Sequence, residues 1–144
     1  MDIYDSDKML PLTTVTKLGM KTNMAATLCY VPLFFVNFIA PAVWLASEPK
    51  NNYFLRFHST QALVFGVSYI AVSVSLFAAS TVCFFIPVLG HLMMGLFGII
   101  GWLFLLGFLG MNGFLMYASY NNRLVKLPLL GDIADRVLVK LEGR

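Results

Sequence analysis

The chain has 144 residues, of which 59% are hydrophobic and only 12% charged, with a net charge of +3. Ordinary soluble domains carry roughly 25% charged residues, and so short a chain buries only about 70% of its unfolded surface, which excludes a soluble globule. The modest positive balance, without basic and aromatic residues sharing a polar face, sets aside nucleic-acid binding.

All seventeen formal charges fall within residues 1–21, 48–56 and 123–144. Between them lie two uncharged tracts, Thr22–Ser47 and Phe57–Asn122. A bilayer core needs ~20 apolar residues as a helix. The first tract fits one span; the second fits two, or three if the helices are short. The expected fold is an all-α membrane protein: three transmembrane helices, with four as the alternative, plus a C-terminal interfacial amphipathic helix.

In chain order, residues 1–21 read as a polar tail with a short interfacial segment around Met9–Met20, and 22–144 as a single helical membrane domain. The first span covers about 23–46, with Thr22 or Asn23 as its cap. Pro32 and Pro41 predict a kinked helix, a re-entrant hairpin being the other option. Its apolar stretch exceeds the ~7–15 residues of a signal peptide, and no A-x-A site follows. Ser47–Arg56 is a polar connection with Pro49, Asn51 and Asn52 as turn formers.

The second span covers about 57–86. Ala71, Ser75, Ala79 and Cys83 recur every four residues and predict a helix-packing face; chance in an apolar helix is the bland reading. Pro87–His91 is a turn signal. The third span covers about 92–118, long enough to tilt or bend. Gly95, Gly98, Gly101, Gly107, Gly110 and Gly113 wind around it rather than line one face. In the last stretch, about 129–142, Leu129, Leu130, Ile133, Ala134, Val137, Leu138 and Leu141 share one helical face. Asp132, Asp135, Arg136 and Lys140 share the other. This helix is too short to span and is expected to lie in the interface plane, basic side chains toward headgroups.

With three spans, the first connection and the C-terminus share seven basic residues against three on the N-terminal side. The positive-inside rule then places the C-terminus in the cytoplasm, and the expected location is a prokaryotic cytoplasmic membrane.

The densest polar cluster beside a span is Arg56-Phe57-His58-Ser59-Thr60-Gln61. Arg56, His58 and Gln61 form a polar interfacial motif that could grip an anionic headgroup or a partner's backbone, or simply anchor the span. Asn37 and Asn112 are intramembrane polar groups able to hydrogen-bond across the bundle or line a path. No Asp, Glu, Lys or Arg lies inside a span, which argues against an active transporter. Cys29, Cys83 and His91 could sit at similar depth but carry no metal motif. No catalytic residues, metal or cofactor are predicted, and the chain is not expected to be an enzyme.

Several segments carry a resemblance: Cys-Tyr-Val-Pro-Leu at 29–33, Phe-Leu-Arg-Phe-His-Ser-Thr-Gln-Ala-Leu at 54–63, Ile-Pro-Val-Leu-Gly at 86–90, and Leu-Pro-Leu-Leu-Gly-Asp-Ile-Ala at 127–134. Over residues 22–138 the chain resembles the Tic-twenty-like family of small integral membrane proteins. That family holds a chloroplast inner-envelope translocon subunit, uncharacterised prokaryotic proteins and magnetosome membrane proteins. Ser59 stands where the family pattern has alanine. The C-terminal motif contributes Pro128, Gly131 and Asp132. Plant members are described with four spans. The resemblance implies links to protein import or organelle assembly, by analogy. The expected function is that of a non-enzymatic assembly or translocation component, packing with itself or other membrane proteins within the lipid bilayer. The alternative is a passive channel or small-molecule carrier.

Overall fold

A computed structural model describes residues 15–86 and 88–143. Most of the predicted tail, including the first part of its interfacial segment, and Pro87 of the predicted turn lie outside the described residues. The described chain is helical: α1 (Thr22–Leu28), α2 (Phe34–Ser47), α3 (Tyr53–Phe84), α4 (Leu89–Tyr120) and α5 (Leu130–Glu142). Among these residues there is no strand, only isolated bridge positions at Val15, Lys21 and Val125, the first two paired with each other. Two helices, α3 and α4, are long and apolar enough to cross a membrane. At 32 residues each, they measure about 48 Å.

The first apolar tract differs from the single kinked span expected over 23–46. The backbone leaves α1 through short i→i−3 bonds at Cys29, Tyr30 and Val31. Pro32 cannot donate and disfavours helix in the residue before it. Leu33 is extended, and α2 starts afresh. Pro41 continues inside α2. The cap of α1 is Lys21, with no side-chain bond, rather than Thr22 or Asn23.

The two ends of this tract meet. The Lys17 N–H donates to Glu48 Oε1 at 2.8 Å. A straight span would hold such residues about 30 Å apart. α2 runs back along the first half of α3: its end meets Arg56, while Phe38 near its start faces Gly66. The tract is therefore a helical hairpin.

Asn52 caps α3, its Oδ1 accepting the Leu55 N–H at 3.4 Å; its own amide donates to Glu48 Oε2 at 2.9 Å. α4 ends in a Schellman turn. Asn122 takes the left-handed conformation, with Arg123 N–H bonded to Ala118 O and Asn122 N–H to Ser119 O.

The chain divides into two compact units, and both long helices contribute to each. Unit 1 comprises residues 15–66 and 112–143. Its core gathers Ala25, Ala26, Cys29 and Tyr30 with Leu55, Phe57, Leu115, Leu127 and Leu138. Unit 2, Val67–Met111, buries no described side chain. Phe77 is 74% exposed and Trp102 is 68% exposed. Tyr69 stacks on Phe104 and Phe108. The α4 start approaches the α3 end so closely that a Cβ at Gly90 would strike the Cys83 carbonyl.

A Cβ at Gly66 would lie 2.9 Å from Phe38 Cζ, whereas one at Gly95 would meet nothing within 4 Å. Gly66→Val should therefore destabilise the detergent-solubilised protein by about 1–3 kcal/mol, read by thermal denaturation. Gly95→Val should leave it within about 0.5 kcal/mol.

Candidate functional site

The two sequence motifs at the edges of the apolar tracts, Arg56–Gln61 and Leu127–Asp132, come together in unit 1. Gln61 joins them. Its Nε2 donates to Val125 O at 3.1 Å, and its Oε1 accepts the Leu127 N–H at 3.2 Å. The side-chain amide thus pairs with alternate backbone groups as a neighbouring strand would. Its second N–H goes to Tyr30 Oη at 3.2 Å, and Tyr30 Oη lies 3.0 Å from His58 Nδ1. When Tyr30 accepts from Gln61 and donates to His58 Nδ1, the histidine proton falls on Nε2, a buried atom with no hydrogen-bond partner among the described residues. His58 is fully buried, edge-on to the rings of Tyr30, Phe54 and Phe57.

Arg56 is 6% exposed, and its Nη1 donates to Leu45 O and Glu48 O, both at 2.9 Å. These carbonyls close α2, where a helix leaves acceptors unsatisfied and the dipole favours a cation. The arginine grips its own chain's backbone at these two carbonyls. Ser59 Oγ lies 3.5 Å from Cys29 Sγ, and Thr60 Oγ1 bonds back to Arg56 O.

The C-terminal motif has its own geometry. The Leu130 N–H donates to Pro128 O at 2.8 Å, closing a γ-turn on Leu129, whose φ is +64°. This form of turn is rare and strained in an L-residue. Gly131 is required by close approach: a Cβ there would strike Lys126 Cγ and lie 3.2 Å from Gln61 Oε1. Lys126 Nζ pairs with Asp132 at 2.9 Å and Asp135 at 3.2 Å, and Tyr53 Oη donates to Asp135 at 3.0 Å. The hydrogen bond to Asp132, with help from Asp135, holds the Lys126 ammonium above its ordinary pKa. The same bond, then the Lys126 charge, holds Asp132 below the usual carboxylate range.

Asn37 and Asn112 are both buried in unit 1. The Asn37 amide oxygen has no hydrogen-bond partner there and sits beside Gly66, 3.3 Å from where a Cβ would lie. Of the predicted packing face in unit 2, Ala71 and Ser75 are exposed and Ala79 and Cys83 half-buried. His91 is exposed beside Phe84. Among the described residues, no three of His, Cys, Asp and Glu converge.

Sequence reasoning missed Tyr30, Glu48 and Lys126. Each had a signal: a tyrosine beside the helix-breaking Pro32, an acid directly after an apolar tract, and a lysine just before the Leu-Pro-Leu-Leu-Gly-Asp run.

Residues 17–133 match the model of the magnetosome magnetite crystal formation protein family (MamF/MmsF). A UPF0132 membrane protein of Methanocaldococcus jannaschii is 31% identical, over 84% of this chain and 92% of its own length. Another from the same organism is 29% identical over 87% of this chain and 76% of its own length. One from Archaeoglobus fulgidus is 27% identical over 81% and 95%. No solved structure matches.

Gln61→Leu strands a buried N–H and a buried C=O, each worth about 1–3 kcal/mol. It should cost about 2–4 kcal/mol in thermal unfolding and speed amide exchange at Leu127. The Lys126–Asp132 pair should also show in the pH profile of stability. Its raised lysine contributes fully below the ordinary lysine range and is lost as pH rises through the raised value; its lowered carboxylate contributes above the ordinary range and is lost as pH falls through the lowered value. The Tm difference between wild type and Asp132→Asn should hold from about pH 5 to about pH 9 and close at both ends.

Proposed function

The chain belongs to the magnetosome magnetite crystal formation protein family, and from that premise we propose that it is a non-enzymatic membrane assembly component. The observation that carries this reading is the open small-residue surface of unit 2. A Cβ added at Gly95, Gly98, Gly101, Gly107 or Gly110 would meet nothing within 4 Å, so these glycines serve no contact described within the chain. With exposed Ala71 and Ser75 on α3, they offer surfaces where another helix can approach closely in lipid. A groove of about 390 Å³ runs between α3 and α4, with Ser73, Ser80, Gly98 and Gly101 in its lining.

The family description speaks of magnetite crystal formation, while the archaeal relatives are named only as membrane proteins. The reading proposed for this chain is what both permit: a bilayer-embedded protein that packs with a second copy or another membrane protein. The Tic-twenty-like likeness fits the same reading. A translocation role is the version in which the partner is a passing chain.

The topology we propose follows from the hairpin of α1 and α2. Two helices cross, α3 and α4, and the first tract is re-entrant. Residues 15–21, 48–56 and 123–143 then share one face of a prokaryotic cytoplasmic membrane, the cytoplasmic face by the positive-inside rule. The three-span version differs in placing the N-terminus outside.

In mild detergent, native mass spectrometry and crosslinking should find oligomers or a co-purifying membrane protein. Gly98→Leu with Gly101→Leu should weaken the association at least about tenfold, about 1.4 kcal/mol, while leaving the melting temperature of unit 1 unchanged. A strictly monomeric, partnerless protein would overturn the reading. Tags at the two termini should be accessible from the same side of the membrane; opposite sides would restore three spans.

A further inference from the structure

We propose that α5 carries a second apolar stripe that docks on the surface of an anionic lipid bilayer, with Arg136 and Lys140 meeting the headgroups. The sequence assigns α5 one broad apolar face. In the structure that face is divided. Gly131, Ala134 and Leu138 are buried against the rest of unit 1. Ile133 and Leu141 on α5 are 46% and 58% exposed along its outer side, and Leu129, in the turn just before the helix, is 78% exposed. The core is already packed by the first set, so the second faces something else.

That orientation is built in. The γ-turn at Leu129, the Gln61 bracket and the Lys126 and Tyr53 contacts to Asp132 and Asp135 fix how α5 is rotated. On the helix, Arg136 and Lys140 fall between Asp132 and the stripe, and both are exposed. The acids on the far side have Lys126 as their partner, so basic charge borders the apolar surface. An apolar stripe edged by basic side chains fits the boundary between acyl chains and anionic headgroups. At 13 residues, about 20 Å, α5 is too short to cross and long enough to lie flat. A second copy fits less well: antiparallel pairing of two stripes would set each copy's Arg136 and Lys140 against the other's. The proposal goes beyond the assembly reading and needs only a membrane location.

The test uses the full chain reconstituted in vesicles, with nitroxide labels at Ile133→Cys or, on the charged side, Val139→Cys, in a Cys83→Ala background; Cys29 is fully buried. Both labelled positions are exposed, so the labels are accommodated. In mixed phosphatidylglycerol–phosphatidylcholine vesicles, the label at 133 should be relaxed by oxygen and shielded from a water-soluble nickel complex, and the label at 139 the reverse. Each basic residue near an anionic surface is worth roughly a fivefold preference. The oxygen-to-nickel ratio at 133 should therefore fall severalfold in phosphatidylcholine alone, and likewise with Arg136→Gln and Lys140→Gln. A water-exposed label at 133 in anionic vesicles would overturn the proposal, as would spin–spin broadening from a neighbouring copy. An unchanged ratio across lipids and variants would overturn the anionic preference. Self-association is read separately, so failure here leaves the assembly reading standing, and the converse.

Discussion

Unit 1 depends on one side chain meeting one loop. Gln61 offers an acceptor and two donors, and every one is used on a buried partner: the Leu127 N–H, the Val125 carbonyl and the Tyr30 hydroxyl. The backbone between α4 and α5 must pass through the unit without a helix or a strand, with an isolated bridge position only at Val125. Buried backbone groups left unpaired cost about 1–3 kcal/mol each, so an irregular segment can be buried only where something replaces the missing ladder. A glutamine one turn from Phe57 and His58 does so. Placing α5 then requires Gly131, because any side chain there would meet Lys126 and crowd the same amide.

The polar residues of the Arg56–Gln61 run are best understood as internal substitutes for water. Arg56 closes the end of α2, His58 and Tyr30 extend the Gln61 network, Ser59 meets Cys29 beyond α1, and Thr60 bonds back to Arg56. Such a unit holds three non-helical passages together, at 29–33, 48–52 and 121–129. Irregular backbone near a bilayer is tolerated only where protein buries it or a cavity hydrates it. The motif residues are therefore needed by the backbone around them, which explains why polar groups sit in so apolar a chain.

Much of this was legible in the sequence. The all-helical class, the two long apolar helices and the amphipathic character of the last stretch follow from charge placement and periodicity, both of which act over a dozen residues or more. Pro32 and Pro41 look equivalent in sequence, yet only the first breaks the helix. The difference is tertiary: Leu45 and Glu48 carbonyls must reach Arg56, and Glu48 must reach Lys17 and Asn52. No local pattern encodes that return. Likewise the two edge motifs were each visible, but their contact spans more than sixty residues and rests on a single amide. The division of the α5 face into a packed and an outer side was hidden because apolar residues look alike whether they meet protein or lipid.

The turn between α3 and α4 has a consequence for how the chain reaches its place. The tract from Phe57 to Asn122 carries no Asp, Glu, Lys or Arg. At the turn itself the backbone amides of Phe85, Ile86 and Gly90 are bonded within the hairpin. Moving one ionised side chain into the centre of a bilayer costs about 2.5–3.5 kcal/mol on insertion scales. This hairpin moves none. Between Phe85 and Leu92 the one polar side chain is His91, so a hairpin of this composition can pass its turn through an apolar layer without desolvating a carboxylate, an ammonium or a guanidinium.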